Sequence, residues 1–336
     1  MKNKHIISFL AIAVLFLITP VTLISAQTIA GPYKSKPGPF QVETIKYDWH
    51  DSTRNRDIPV KIYYPKTGNG PFPVIIFSHG LGGSREGYAY LGEHWASYGY
   101  VSVHVQHIGS DTAVWKDAED PKKGMRRAIN NPKNAIERPK DISFAIDRME
   151  KLNAEKSPFK GRLDLKNIGV AGHSYGAHTT LLIAGQLIII RSKEISYADP
   201  RVKAAIAMSS PVPVIKTNLE QVYSKIQIPV FHMTGTKDMS KIAGTNAAER
   251  RIPFDRIKGV NQYLLTFKDG DHMVFAGIKQ TGKMREKDPL FQDLILQSST
   301  AFWDACLKSD LSAKSWLDDD GFEKALDGNG TFEKKK

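Results

Sequence analysis

Gly172-His173-Ser174-Tyr175-Gly176 sets a serine between two glycines, after the apolar residues 168–171 and before the small-residue stretch "AHTT". In the pattern G-x-S-x-G a sharp strand-to-helix turn holds the serine in a strained backbone conformation with its hydroxyl exposed. The flanking glycines remove side chains that would collide with neighbouring strands. The start of the following helix supplies a dipole that favours developing negative charge. Ser174 is therefore a candidate nucleophile, on condition that a base, an acid and an oxyanion site accompany it.

In this architecture the chain order is serine, then carboxylate, then histidine. The chain has 10 histidines. His272 is the candidate base, because "KDGDHMVF" places it in a loop just after the apolar stretch "YLLTF", at the strand end where ligands meet an open α/β sheet. His178 lies one helical turn beyond Ser174 and is expected to face away, and His232 sits inside an apolar strand. Asp238, after a buried strand and a glycine turn in "FHMTGTKDMS", is the candidate acid. Asp271 is adjacent to His272, which makes the carboxylate-to-Nδ1 geometry hard to reach, and Asp269 is a surface-turn candidate. Two backbone N–H groups are needed for an oxyanion. Tyr175, the residue after the nucleophile, offers one, and the glycine-rich "HGLGG" at 79–83 offers the other, through Leu81.

The elements that must position these groups alternate between strand-like and helix-like segments, which predicts a mostly parallel sheet with helices on both faces. "FQVETIKYDW" and "IPVKIYYP" alternate apolar and polar residues, as an antiparallel edge hairpin does. "FPVIIFSHG" is a continuous apolar run, fit for a strand buried on both faces. Helix is predicted over 85–99 and 138–152 and from Tyr175, with further strands at 100–107, "VKAAIAMSS", "IPVFHMTG" and "YLLTFKDG" and a long last helix. Residues 108–136 read as an irregular insertion near the site, with Trp115 as a substrate-binding candidate. The run 187–190 reads as an acyl-pocket wall, a surface that leans on lipid or, more simply, the buried end of a helix. Residues 27–317 are expected to form one domain, and the polar segment 318–336 a loosely packed tail whose "DGNG" is a turn.

The chain resembles the α/β-hydrolases, and within them the dienelactone-hydrolase-like proteins close to plasma-type platelet-activating-factor acetylhydrolases. The text that carries this is "RNRDIPVKIYYP", "VIIFSHGLGGSREGYAYLGEHWASYGYVSVHVQH", "ERPKDISFAIDRM" and "GVAGHSYGAHT", within about residues 45–275. The resemblance implies an α/β-hydrolase fold and a serine ester hydrolase with no metal and no cofactor. Dienelactone hydrolases proper use a cysteine where this chain has Ser174. Plasma-type acetylhydrolases carry their acid after the strand that follows the nucleophile helix, where this chain reads "AMSSPVP". Short-chain acyl esters or acetylated lipids are the implied substrates. Polyesters of the cutinase type are the alternative, and a non-catalytic binding protein on a hydrolase scaffold the alternative of another class.

Residues 1–26 have a basic start at Lys2 and Lys4, the apolar run 6–18 and a small residue at Ala26, the pattern of a secretory signal, so the protein is expected to be exported. The formal net charge is +12, but basic residues are scattered among acids. No nucleic-acid module is expected, and loose contact with an anionic membrane surface stays open. Cys306, the single cysteine, can make no intramolecular disulfide and falls in a helical pattern as a small apolar residue.

Overall fold

The computed structural model describes residues 32–213, 216–240, 242, 244–277 and 285–336. The secretory-signal pattern at 1–26 lies outside the described residues. The strands in chain order are β1 (Val42–Asp51), β2 (Arg56–Pro65), β3 (Phe72–Ser78), β4 (Val101–Val105), β5 (Leu163–His173), β6 (Ile188–Ile190), β7 (Lys193–Ile195), β8 (Val202–Met208), β9 (Val230–Lys237), β10 (Gln262–Asp271) and β11 (Gly330–Lys335). Nine of them form one sheet in the order β1-β2-β4-β3-β5-β8-β9-β10-β11. The six from β4 to β10 in that order run parallel, and antiparallel partners stand at both edges. This is the α/β-hydrolase fold.

The central strands are buried on both faces, so they read as unbroken apolar runs. In β3, Val74 and Ile76 enter one core while Ile75 and Phe77 enter the other, as the two-residue period of a strand requires. The helices are α1 (Ala89–Ser97), α2 (Ala113–Lys116), α3 (Pro121–Asn130), α4 (Pro132–Ala154), α5 (Tyr175–Ala184), α6 (Leu219–Tyr223), α7 (Ile252–Arg256), α8 (Asp288–Leu307), α9 (Leu311–Asp318) and α10 (Gly321–Leu326). α4, α5 and α6 cover the first core, through residues such as Ile142, Leu181 and Val222. α1, α8 and α9 cover the second, through Trp95, Trp303 and Trp316. Among the described residues no helix is long and apolar enough to cross a membrane.

Four expectations change. The segment 108–136 is mostly helical, because Asp120 caps α3 by accepting from the amides of Lys122 and Lys123, at 2.9 and 3.1 Å, with Pro121 as the first helical residue. α4 begins at Pro132 behind an Asn131 cap rather than at 138, and Pro139 lies inside it. The run 187–190 is not a helix end: α5 stops at Gly185, whose φ of 121° only glycine adopts freely, and a short hairpin β6–β7 follows. The segment from Asp318 is not a loose tail, because Phe322 and Leu326 are buried and β11 completes the sheet beside β10. Cys306 is partly buried on α8, where burial pushes its thiol up to about 12.

Candidate active site

Ser174 sits at the turn from β5 into α5 with φ 56° and ψ −119°, a conformation that costs a non-glycine residue free energy. The two glycines answer to the packing of this turn on β3. A Cβ on Gly176 would run into the Ser78 carbonyl and lie 2.8 Å from the His79 carbonyl oxygen, and one on Gly172 would lie 2.8 Å from the Ser78 carbonyl oxygen.

His272 follows β10 and Asp238 follows β9, so parallel strand ends deliver both to Ser174. The Ser174 Oγ is 2.9 Å from His272 Nε2, and Asp238 Oδ1 is 2.8 Å from His272 Nδ1. The carboxylate accepts a hydrogen bond from Nδ1–H and so holds the proton on that nitrogen, which leaves Nε2 free to accept from the serine. Burial alone would raise the Asp238 carboxyl, but the His272 bond, the Arg250 charge and the Ser209 hydroxyl outweigh it and hold the carboxyl at about 2. Asp238 Oδ2 accepts from Ser209 at 2.5 Å and Thr234 at 2.9 Å, and buried Arg250 lies 3.3 Å from Oδ1. The rival carboxylates point elsewhere: Asp269 pairs with Lys237 at 2.9 Å and Asp271 with Arg285 at 2.6 Å.

The loop after β3 carries Leu81. Gly82 stands at φ 73°; its N–H bonds the Ser110 carbonyl at 2.9 Å, and its carbonyl accepts from Trp115 Nε1 at 2.8 Å. The N–H of Tyr175, at the first turn of α5, has no acceptor within the helix. Among the described residues no hydrogen bond engages the N–H of either Leu81 or Tyr175. Gly80, Leu81, Trp115, Ser174, Tyr175 and His272 line one cavity of about 400 Å³, whose other walls include Met125, Ile129 and Ala276.

Other groups fix this geometry and were not singled out by the sequence reading. The Gly80 N–H donates to the Tyr88 hydroxyl at 3.2 Å, Tyr88 donates to His173 Nδ1 at 2.8 Å, and His173 Nε2 donates to the His272 carbonyl at 2.8 Å. This chain ties the glycine loop to the backbone of the candidate base. Behind the loop lies a second serine–histidine–aspartate array. His107 Nδ1 donates to Asp141 at 3.0 Å and His107 Nε2 accepts from Ser78 Oγ at 2.9 Å. All three are fully buried, so Ser78 cannot meet a substrate. Burial lowers His107 to about 3, so it is neutral, whereas the Asp141 carboxyl, which burial alone would raise, is held at about 2 by His107 and Arg56. Arg138, also fully buried, gathers both sides of the site. It donates to Thr179 at 3.0 Å, Ser110 at 2.8 Å, Ser78 at 3.1 Å and the His79 carbonyl, and its guanidinium lies 4.6 Å from the Tyr175 ring centroid. Among the described residues no group of His, Cys, Asp and Glu is arranged to hold a metal ion.

The same regions match known proteins. The family "Platelet-activating factor acetylhydrolase, isoform II" matches residues 49–143, which include the glycine loop, and the family "Serine hydrolase (FSH1)" matches residues 99–247, which include Ser174 and Asp238. A platelet-activating factor acetylhydrolase of Cavia porcellus is 26% identical over 292 residues, covering 77% of this chain and 63% of its own length. The cutinase cut1 of Thermobifida fusca is 25% identical over 232 residues, covering 66% of this chain and 60% of its own, and the cutinase 2 of Thermobifida cellulosilytica is 27% identical over 170 residues, covering 51% and 49%. The chain thus spans about three-fifths of the length of the first two relatives.

Proposed function

We propose that this chain, an α/β-hydrolase by its sheet and its relatives, is a serine hydrolase of carboxylic esters that is exported and acts through an acyl-enzyme. The observation that carries the reading is the continuous contact of Ser174 Oγ, His272 and Asp238, at 2.9 and 2.8 Å, on the wall of an apolar cavity. His272 takes the serine proton as Oγ attacks the ester carbonyl. Asp238, already ionised, stabilises the imidazolium that results. The amides of Leu81 and Tyr175 receive the oxyanion. His272 then gives its proton to the leaving alcohol oxygen, and the same residue deprotonates the water that releases the acid.

Short-chain acyl esters or acetylated lipids fit a cavity of about 400 Å³, with Trp115 at its rim as a substrate contact. Polyester hydrolysis is the second reading, and the similarity to cutinases favours it. Export rests on the pattern of residues 1–26, and sequencing the N-terminus of the mature protein tests it. A fluorophosphonate probe tests the chemistry: covalent labelling in the parent protein and none in Ser174→Ala is expected. Equal labelling of both proteins, or none of either, refutes the triad and favours a binding protein on this scaffold.

A further inference from the structure

A second cavity, of about 510 Å³, lies against the catalytic one. The two share Ile129, Tyr175, Pro211 and Ile242, and neither Ser174 nor His272 lines the second. Its walls are mostly hydrocarbon, from Leu187, Ile188 and Ile189 of the β6–β7 region and from Val222 of α6. The size is well within the range of small-molecule sites, which is roughly 300–1,000 Å³. The floor is different in kind. The Tyr175 hydroxyl and the Gln186 carbonyl Oε1 are buried with no hydrogen-bond partner among the described residues, although both residues line this cavity. Buried polar atoms are otherwise nearly always paired, because leaving one unpaired costs stability. His178 lines the same floor, stacked on Tyr175 with ring centroids 6.2 Å apart, and burial keeps it neutral by lowering it to about 4.

Tyr175 links the two spaces, because it follows the nucleophile and lines both cavities. Reaction geometry decides which part of an ester enters there. The leaving oxygen must come within reach of His272 Nε2 to take its proton, so the alcohol occupies the side that His272 lines. A cavity that His272 does not line receives the other substituent of the carbonyl.

Resting on the ester-hydrolase reading above, we propose that the second cavity is an acyl compartment: it takes a long apolar acyl arm that carries an oxygen function, which the Tyr175 hydroxyl and the Gln186 side chain bind. The compartment selects esters by acyl arm, beyond the short acyl groups that fit beside Ser174. An arm with a hydroxyl satisfies both orphans at once, accepting from Tyr175 and donating to Gln186 Oε1. An arm with a carbonyl satisfies Tyr175 alone.

The test compares kcat/KM for the 4-nitrophenyl esters of acetic, octanoic and 8-hydroxyoctanoic acid. The parent protein is expected to prefer octanoate to acetate, and hydroxyoctanoate to octanoate, by at least about tenfold each, which is about 1.4 kcal/mol per step. Ile188→Trp fills the compartment away from Ser174; it is expected to cut both long esters at least about tenfold and leave acetate within about twofold. Gln186→Leu keeps the volume and is expected to abolish only the preference for the hydroxylated arm. Equal losses on all three esters in Ile188→Trp, or no loss on any, overturn the compartment while acetate turnover that depends on Ser174 still stands. A parent protein that turns over none of the three overturns the ester-hydrolase reading and the compartment with it.

Discussion

Replacing Arg138 by methionine keeps the stem of the side chain and removes the guanidinium. Four acceptors lose a donor: Thr179, Ser110, Ser78 and the His79 carbonyl. The three hydroxyls have other partners within reach, at Tyr175, His107 and His107 respectively. Among the described residues the His79 carbonyl has none, and an orphaned buried carbonyl costs about 1–3 kcal/mol. Losing charge-assisted bonds adds a similar amount, and relief of the cation's own burial subtracts from it. The net destabilisation expected is about 2–4 kcal/mol, read as a lower guanidinium midpoint with an unchanged slope. The catalytic loss is separate. His79 precedes the glycine loop and Tyr175 starts α5, so Arg138 fixes the two halves of the proposed oxyanion site relative to each other. Misplacing one donor costs about a hundredfold in kcat, with KM for 4-nitrophenyl acetate nearly unchanged. Arg138→Lys keeps the charge but not the fork, so it should regain stability more than kcat. A methionine variant that is folded, less stable and within threefold of the parent kcat would refute the claim that Arg138 positions the oxyanion site.

Ser174→Ala should lose at least about a thousandfold in ester turnover while its melting temperature stays close to the parent's, since alanine keeps the Cβ and with it the same strain at φ 56°; undiminished turnover would sink the assignment. Asp238→Asn should cut kcat by about four orders of magnitude through the wrong His272 tautomer, and a loss under tenfold would point to another acid. Tyr88→Phe breaks the chain from Gly80 to His173 and should cost about 1–2 kcal/mol of stability, measured by denaturant titration. Burial holds seven histidines below their ordinary value, among them His104, His107 and His232 at about 3. The unfolded chain binds protons at these groups from about pH 6.5 and the folded chain does not, so stability falls as pH drops from there towards 3. At pH 5 the loss is roughly 2 kcal/mol per group, and the sum over these groups is comparable to the whole folding margin of about 5–15 kcal/mol. Near-ultraviolet circular dichroism should therefore collapse between about pH 5.5 and 4.5, and a native spectrum at pH 4 would contradict the buried, neutral assignment.

The fold was legible where a pattern is local. β3 shows its double burial as "FPVIIFS", and the edge hairpin shows its alternation. The misread segments are those where a strong local cue was given the wrong meaning. The helix expected over 138–152 starts earlier, at Pro132 behind the Asn131 cap, so that seven residues of helix precede Pro139 and α4 runs through it. Asp120-Pro121 carried a helix start that the surrounding glycine and charges obscured. The last segment is polar in composition, but Phe322, Leu326 and Phe332 are enough to dock it on the sheet. Composition averages over a segment, whereas docking needs only a few well-spaced apolar side chains.

The site divides along the same line. Ser174, Asp238 and His272 could be read because each follows a strand of recognisable type, and a parallel sheet brings the ends of such strands to one edge whatever the sequence between them. Their supports have no such signature. Arg138 lies on a helix with charged residues on either side, Tyr88 in a turn, and Arg250 in a polar run, so each reads as surface. Each is buried because distant segments close over it: Arg138 under β3 and α5, and Arg250 against the Ser209 carbonyl and Asp238. Burial turns these polar residues from surface into positioning groups, since a guanidinium shielded from water must spend its donors on protein acceptors and so fixes where those acceptors stand. The meeting of the three candidate side chains follows from local chain geometry, while the precision of their placement follows from which polar groups the fold has removed from water.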